Sequence, residues 1–183
     1  WVQGRGVIVD PPLNSVRLLH EAGIPSRVID AVIVSHCHAD HDAGAFQWLL
    51  NERKLELITT PTIMNSWLRK YSALLDMDKE SIRDLFLFRP ALLGEGISYR
   101  GATFHFHYGI HTIPAIGFDC YYNGKSIFYS GDTINSVPQF EKMRNAGILR
   151  PGRFNQFANF TWHHSVILHE AGVPPIHTPV STF

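Results

Sequence analysis

The sequence predicts a mixed α/β domain in which helices cover sheet faces. Short apolar runs recur along the chain and alternate with segments of helical pattern. Turn signals bound the runs of the second half, above all the Asn123-Gly124 pair, which reads as a hairpin. With 183 residues and 45% apolar content, the chain can bury the core of one ordinary domain.

The elements follow in order. Val7-Ile8-Val9 reads as a buried strand stopped by Asp10-Pro11-Pro12. Asn14 is placed to cap a helix over Ser15 to Ala22, closed by Gly23 and Pro25. Ala31 to Val34 is the next strand, Ala43 to Leu50 a helix and Leu55 to Thr59 a strand. A helix capped by Thr60 or Thr62 runs through Ser72, and another covers Ser81 to Phe86. Pro90, Gly94 and Gly96 mark a loop. Strands are then expected at Ile97-Tyr99, Thr103-Tyr108, Ile116-Tyr122 and Ser126-Tyr129, with the last two forming the one antiparallel hairpin. Gln139 to Asn145 is helical and Val166-Ile167-Leu168 is a final strand.

Composition narrows the function. Sixteen basic and sixteen acidic residues cancel, so no global charge points to nucleic acid or to an anionic membrane. Cys37 and Cys120 are too few for a disulfide framework and suit reduced thiols. No apolar run reaches the roughly 18 residues of a membrane span and no signal peptide opens the chain, so a cytoplasmic location is expected. The chain begins at Trp1 and stops at Phe183 after a Pro-rich stretch, so both ends look cut and a fragment of a longer chain is expected.

Histidine carries the chemistry. Eleven are present, and the densest group is Ser35-His36-Cys37-His38-Ala39-Asp40-His41-Asp42, directly after the Ala31-Val34 run. Imidazole and carboxylate are ligands that borderline divalent metals prefer. In extended chain His36 and His38 share one side, while Asp40 and His41 point elsewhere as a helix begins, so one segment can serve two ions. His111 and Asp132 each follow a predicted strand, where α/β folds place their sites. His105 and His107 alternate with Phe104 and Phe106 and read as residues of one strand face, not as ligands.

The pattern His36-x-His38-x-Asp40-His41, then His111, then Asp132 within Ser-Gly-Asp-Thr, resembles the metallo-β-lactamase fold superfamily. The resemblance implies that residues 1–183 form one four-layer αββα domain, truncated at both ends, with its metal site along one edge. It implies two divalent ions, zinc first, with manganese and iron as alternatives. His36, His38 and His111 would hold the first ion, Asp40 and His41 the second, and Asp132 would bridge both. The segments His169-Glu170-Ala171 and His177-Thr178-Pro179 resemble loops of the ribonuclease Z branch, where the last metal histidine comes later still, beyond Phe183 here. The same segments, with Asp10-Pro11-Pro12, resemble more weakly the lactamase-fold domains of cyclic-nucleotide-binding proteins.

The expected activity is metal-dependent hydrolysis of a phosphodiester by a metal-bound hydroxide. Asp40 would act as general base, and His169, oriented by Glu170, as general acid. His177 is an additional candidate for the site. Only residues 112 to 131 separate His111 from Asp132, leaving no room for the long arm of transfer-RNA processing enzymes. A small phosphoester such as a cyclic nucleotide is therefore the expected substrate. A thioester, lactone or lactam hydrolase, or a metal-binding domain without activity, would use the same ligands.

Overall fold

Four short strands pair side by side in parallel to form the first sheet, in the order β1 (Gly6–Val9), β2 (Ile29–Ile33), β3 (Glu56–Thr59) and β4 (Leu87–Pro90). The computed structural model describes residues 1–51, 55–159, 163–173 and 175–182. Parallel strands need crossovers. These are supplied by α1 (Ser15–Glu21), α2 (Ala39–Asn51), α3 (Pro61–Leu75) and α4 (Lys79–Arg83). Ala31, Val32 and Ile33 of β2 are all buried, as an unbroken apolar run in a parallel sheet should be. Strand β4 was not expected, because Leu-Phe-Arg-Pro lacks such a run and ends in proline; both suit its place at the sheet edge.

The second sheet runs β5 (Gly96–Tyr99), β6 (Ala102–Gly109), β7 (Ala115–Tyr122), β8 (Lys125–Tyr129) and β9 (Val166–Leu168). The first four form an antiparallel meander and β9 lies parallel to β8. The single expected hairpin is thus one of three antiparallel pairings. Asn123 and Gly124 both take positive φ, at 48° and 69°, the turn geometry that their residue types favour.

The sheets face each other through one core. Phe104 and Phe106 of β6 are buried in it with Phe118, Ala31, Val32 and Ile33, while His105 and His107 take the opposite face of β6. Burying a side chain such as Ile33 stabilises the fold by about 1.5–3 kcal/mol. Helices α5 (Val137–Asn145) and α6 (Pro151–Ala158) add a smaller cluster around Ile134, Phe140 and Leu149. Helix α6 carried no signal in the sequence reading. The two facing sheets with helices outside them are the expected four-layer arrangement.

Helix starts differ from expectation in informative ways. Helix α2 begins at Ala39, not Ala43, with the His38 carbonyl accepting from the N–H groups of His41 and Asp42 at 3.1 and 3.0 Å. Asp40 and Asp42 sit in its first turn, where a negative charge suits the helix dipole. Asn14 precedes α1 at φ 64° without a side-chain cap; its N–H donates instead to Gln47 Oε1 at 2.9 Å. Thr60 caps α3 as expected, and Asp78 caps α4 earlier than Ser81.

A buried ion pair joins α2 to α3. Asp42 is fully buried and accepts from Lys70 Nζ at 2.6 and 2.8 Å and from Tyr71 Oη at 3.1 Å. Lys70 Nζ also donates to the Cys37 carbonyl at 3.1 Å, so the pair anchors the histidine loop. Burial pushes the Asp42 carboxyl up, and Lys70 opposes the shift. Removing the cation leaves a buried charge without its partner. Lys70→Met should therefore lower stability by about 3–5 kcal/mol in urea unfolding. Adding Asp42→Asn should recover more than half of that loss; no recovery would mean that Lys70 acts through packing alone.

Candidate metal centre

The C-terminal ends of the strands carry the site. Ser35 and His36 follow β2, Asp10 follows β1, His111 follows β6 and Asp132 follows β8. The Ile116 N–H donates to the Ser35 carbonyl at 3.0 Å and ties the two sheets together at this point. Gly131 turns the chain before Asp132 with φ 57°, and a Cβ there would meet the Ile116 carbonyl oxygen at 2.5 Å.

Four groups converge. His36, His38, His111 and Asp132 each offer one ligand atom, all within 4.8 Å of one another. His38 Nδ1 lies 3.0 Å from His36 Nε2 and 3.1 Å from His111 Nε2. Asp132 Oδ2 is 3.8 Å from both His36 Nε2 and His111 Nε2. Tetrahedral bonds of 2.0–2.1 Å to zinc would set neighbouring nitrogens roughly 3.3 Å apart, so this donor set fits a small divalent cation.

The outer nitrogens show which way the lone pairs face. Ser35 Oγ has one proton and gives it to Asp10 Oδ2 at 2.5 Å, so it accepts from His36 Nδ1 at 2.9 Å. His111 Nδ1 donates to the Ile176 carbonyl at 3.3 Å. Both rings therefore turn an unprotonated Nε2 inward. Burial, then the neighbouring rings of His41, His111 and His38, lowers the His36 pKa to about 2. Burial also lowers that of His111. Neutral rings are the form that binds metal.

His41 forms the second part. Its Nδ1 sits 3.1 Å from Asp10 Oδ2, while its Nε2 lies 3.3 Å from Asp132 Oδ1 and 3.6 Å from Asp40 Oδ2. Burial opposes protonation of this ring, but the hydrogen bond to Asp10 and the charges of Asp10, Asp132 and Asp40 outweigh it and raise its pKa. Asp132 thus has one oxygen toward the three-histidine group and the other toward His41. Asp40 stands at the mouth with its side chain 79% exposed.

Asp10, Ser35 and Tyr129 were missed as site residues. Asp10 Oδ1 accepts from the Ser35 N–H at 2.7 Å, and Oδ2 accepts from Tyr129 Oη at 2.7 Å. A carboxylate just past a strand end was the criterion that singled out Asp132, and Asp10 meets it, although in the sequence it stood out only as a strand stop and as part of the weaker Asp10-Pro11-Pro12 resemblance. Gly44 shows how close this loop comes to α2, since a Cβ there would meet the Pro11 carbonyl oxygen at 2.1 Å.

The late segments divide differently from expectation. The Glu170 carboxylate accepts from the N–H groups of Thr133 and Thr178 at 3.2 and 3.0 Å, and its Oε2 meets His177 Nδ1 at 3.1 Å. The histidine that this carboxylate orients is therefore His177. His177 Nδ1 is 3.8 Å from Asp132 Oδ2, and its ring centroid is 5.6 Å from that of His111. His169 turns toward a cavity lined by His107, Phe128 and Phe157, and its Nδ1 lies 2.7 Å from the Glu170 carbonyl oxygen.

The family described as "Anti-Pycsar protein Apyc1" matches residues 2–169. The chain is 52% identical over 181 residues to "cGMP-dependent 3',5'-cGMP phosphodiesterase A" of Dictyostelium discoideum. That match takes in 99% of the chain but 21% of the relative, so the chain spans about a fifth of the relative's length. Among solved structures, the metallo-beta-lactamase fold protein YhfI from Bacillus subtilis superposes with a TM-score of 0.60 at 16% identity, over 76% of this chain and 57% of that one. Human tRNase Z, short form, superposes with a TM-score of 0.54 at 14% identity, over 99% of this chain and 84% of that one. The chain has the metallo-β-lactamase fold and belongs to the family of the anti-Pycsar protein Apyc1.

Proposed function

We propose that this chain is the catalytic part of a metal-dependent phosphodiesterase acting on 3′,5′-cyclic nucleotides. The observation that carries the reading is the convergence of His36 Nε2, His38 Nδ1, His111 Nε2 and Asp132, with two of the rings held from behind by hydrogen bonds. The substrate class is taken from the Dictyostelium relative, which is named as a 3',5'-cGMP phosphodiesterase.

In this reading His36, His38 and His111 would hold one divalent ion, Asp40 and His41 would hold a second, and Asp132 would be shared between the two groups. When bound, such ions supply positive charge for the phosphoryl oxygens and lower the pKa of water from 15.7 toward about 7. The chain's own groups do the rest. The oxygen of water bonds to phosphorus and one ester P–O bond breaks. Asp40, exposed at the mouth and 3.6 Å from His41 Nε2, takes the proton from the attacking water. The departing sugar oxygen is a poor leaving group and needs a proton. His177 gives it from Nε2, while Glu170 fixes the ring through Nδ1. A chain of neutral net charge offers no global attraction for a polyanion, which leaves a small diester as the simpler substrate.

Asp132→Ala should reduce cyclic GMP hydrolysis by at least about a hundredfold and lower the metal content of the purified protein, since even residues behind the ligands are worth 10–100-fold. Asp40→Ala should lower the rate far more than it lowers occupancy of the three-histidine position. Equal loss of both ions in Asp40→Ala would contradict the division of ligands.

His177→Ala should slow cyclic GMP hydrolysis by roughly 10²–10⁴-fold with metal content intact, and slow a nitrophenyl phosphodiester, whose leaving group needs no proton, much less. His169→Ala should leave the ratio of the two rates near that of the unaltered protein. The opposite pattern would return the acid role to His169.

A further inference from the structure

The N-terminal ends of β2, β3 and β4 lie at the pole opposite the histidine cluster, and they open into a polar cavity of about 500 Å³. Its size falls in the range of small-molecule sites. Arg5, Arg27, Arg89 and Arg100 line it with Asp30 and Glu56, so four guanidinium groups face two carboxylates. Asp30 is shared: Oδ1 takes Arg5, and Oδ2 takes Arg100 Nη2 at 2.6 Å. Glu56 Oε2 takes Arg89 Nη1 at 3.0 Å. The Arg27 guanidinium has no carboxylate partner among the described residues; only its backbone carbonyl is engaged, by Arg5 Nη2 at 2.7 Å.

Among the described residues two positive charges are therefore left over, and most of the arginine N–H donors have no protein acceptor there. Each guanidinium carries five donors in a planar fork, a shape that matches phosphate oxygens. Tyr99 is an independent sign of a ligand. Its residue is 5% exposed and lines this cavity; the Arg100 guanidinium interacts with its buried hydroxyl but can only donate to it, so the hydroxyl proton has no acceptor among the described residues. Arg89 and Arg100 lie 5.9 and 6.0 Å from the Tyr99 ring, which brings their charge over the same spot. A buried hydroxyl proton without an acceptor is costly, and a bound acceptor would satisfy it.

We propose that this cavity is a second binding site, separate from the histidine cluster, for a small phosphate-bearing dianion. A dianion balances the two surplus charges. Arginine forks from four separate segments of the chain grip its oxygens, and the Tyr99 hydroxyl donates the remaining hydrogen bond. The proposal does not depend on hydrolysis at the histidine cluster.

Titration calorimetry with inorganic phosphate on the metal-loaded protein tests it, because the two sites respond to different substitutions. One binding component should survive His111→Ala unchanged. Arg27→Gln should weaken that component on the order of tenfold, and Tyr99→Phe should weaken it severalfold. Arg27→Gln alters an exposed side chain, so the variant should fold, and its thermal midpoint checks this. Added sodium chloride should weaken the same component. The proposal is overturned if phosphate binding disappears in His111→Ala while Arg27→Gln leaves it intact, or if no binding is seen at millimolar phosphate. It is equally overturned if an oligo-glutamate peptide binds there and phosphate does not displace it.

Discussion

The carboxylate of Asp10 accepts hydrogen bonds from three distant parts of the chain at once. Ser35 reaches it through both N–H and Oγ, His41 through Nδ1, and Tyr129 through Oη from 119 residues away. Each hydrogen bond to a charged group is worth about 1.5–3 kcal/mol. Their sum outweighs the cost, about 1–3 kcal/mol, of holding Asp10 in a left-handed backbone conformation at φ 42°. The position of the histidine loop follows from this anchor. The loop is gripped at Ser35 and at His41, the two ends of the motif, and the strand β8 that delivers Asp132 is gripped through Tyr129. The fold thus brings the histidine loop and the strand that carries Asp132, the two sides of the candidate metal centre, to one carboxylate.

That anchor matters because the cluster is unfavourable by itself. Buried imidazoles crowd together with their lone pairs turned inward, and burial drives His36 and His111 toward the neutral form. Packing alone does not reward such an arrangement; a cation at the centre does. Behind the loop, Lys70 and Asp42 hold the other side, with Lys70 bonded to the Cys37 carbonyl in the middle of the motif. The loop is therefore clamped between a carboxylate in front and an ion pair behind. Clamping of this kind sets ligand directions before an ion arrives, which is the role of groups behind the ligands in metal sites generally.

Much of this was legible in the order of residues. The alternation of apolar runs and helical segments led to a mixed α/β domain, the family resemblance supplied its two sheets, and the His36-x-His38-x-Asp40-His41 spacing led to the site. Local signals sufficed where the chemistry is local. They failed where a partner far along the chain decides. Strand β4 has no apolar run of its own and forms because β3 offers it an edge. The early start of α2 at Ala39 turns on the His38 carbonyl and the charges of its first turn. Asp10 looked like the end of a strand because Ser35, His41 and Tyr129 are remote in sequence. Glu170 sits next to His169 in the chain, which suggested that pairing, but the turn back through Gly172 and Thr178 presents His177 to it instead.

The central claim is that His36, His38 and His111 form one cation site. Anomalous X-ray diffraction at a metal absorption edge tests it most directly, on crystals of protein purified without chelator. The account predicts a strong peak bounded by His36 Nε2, His38 Nδ1 and His111 Nε2, at about 2.0–2.1 Å from each nitrogen if the metal is zinc. An absent peak at full diffraction quality, or one confined to other residues while these three rings remain in mutual contact, would contradict it.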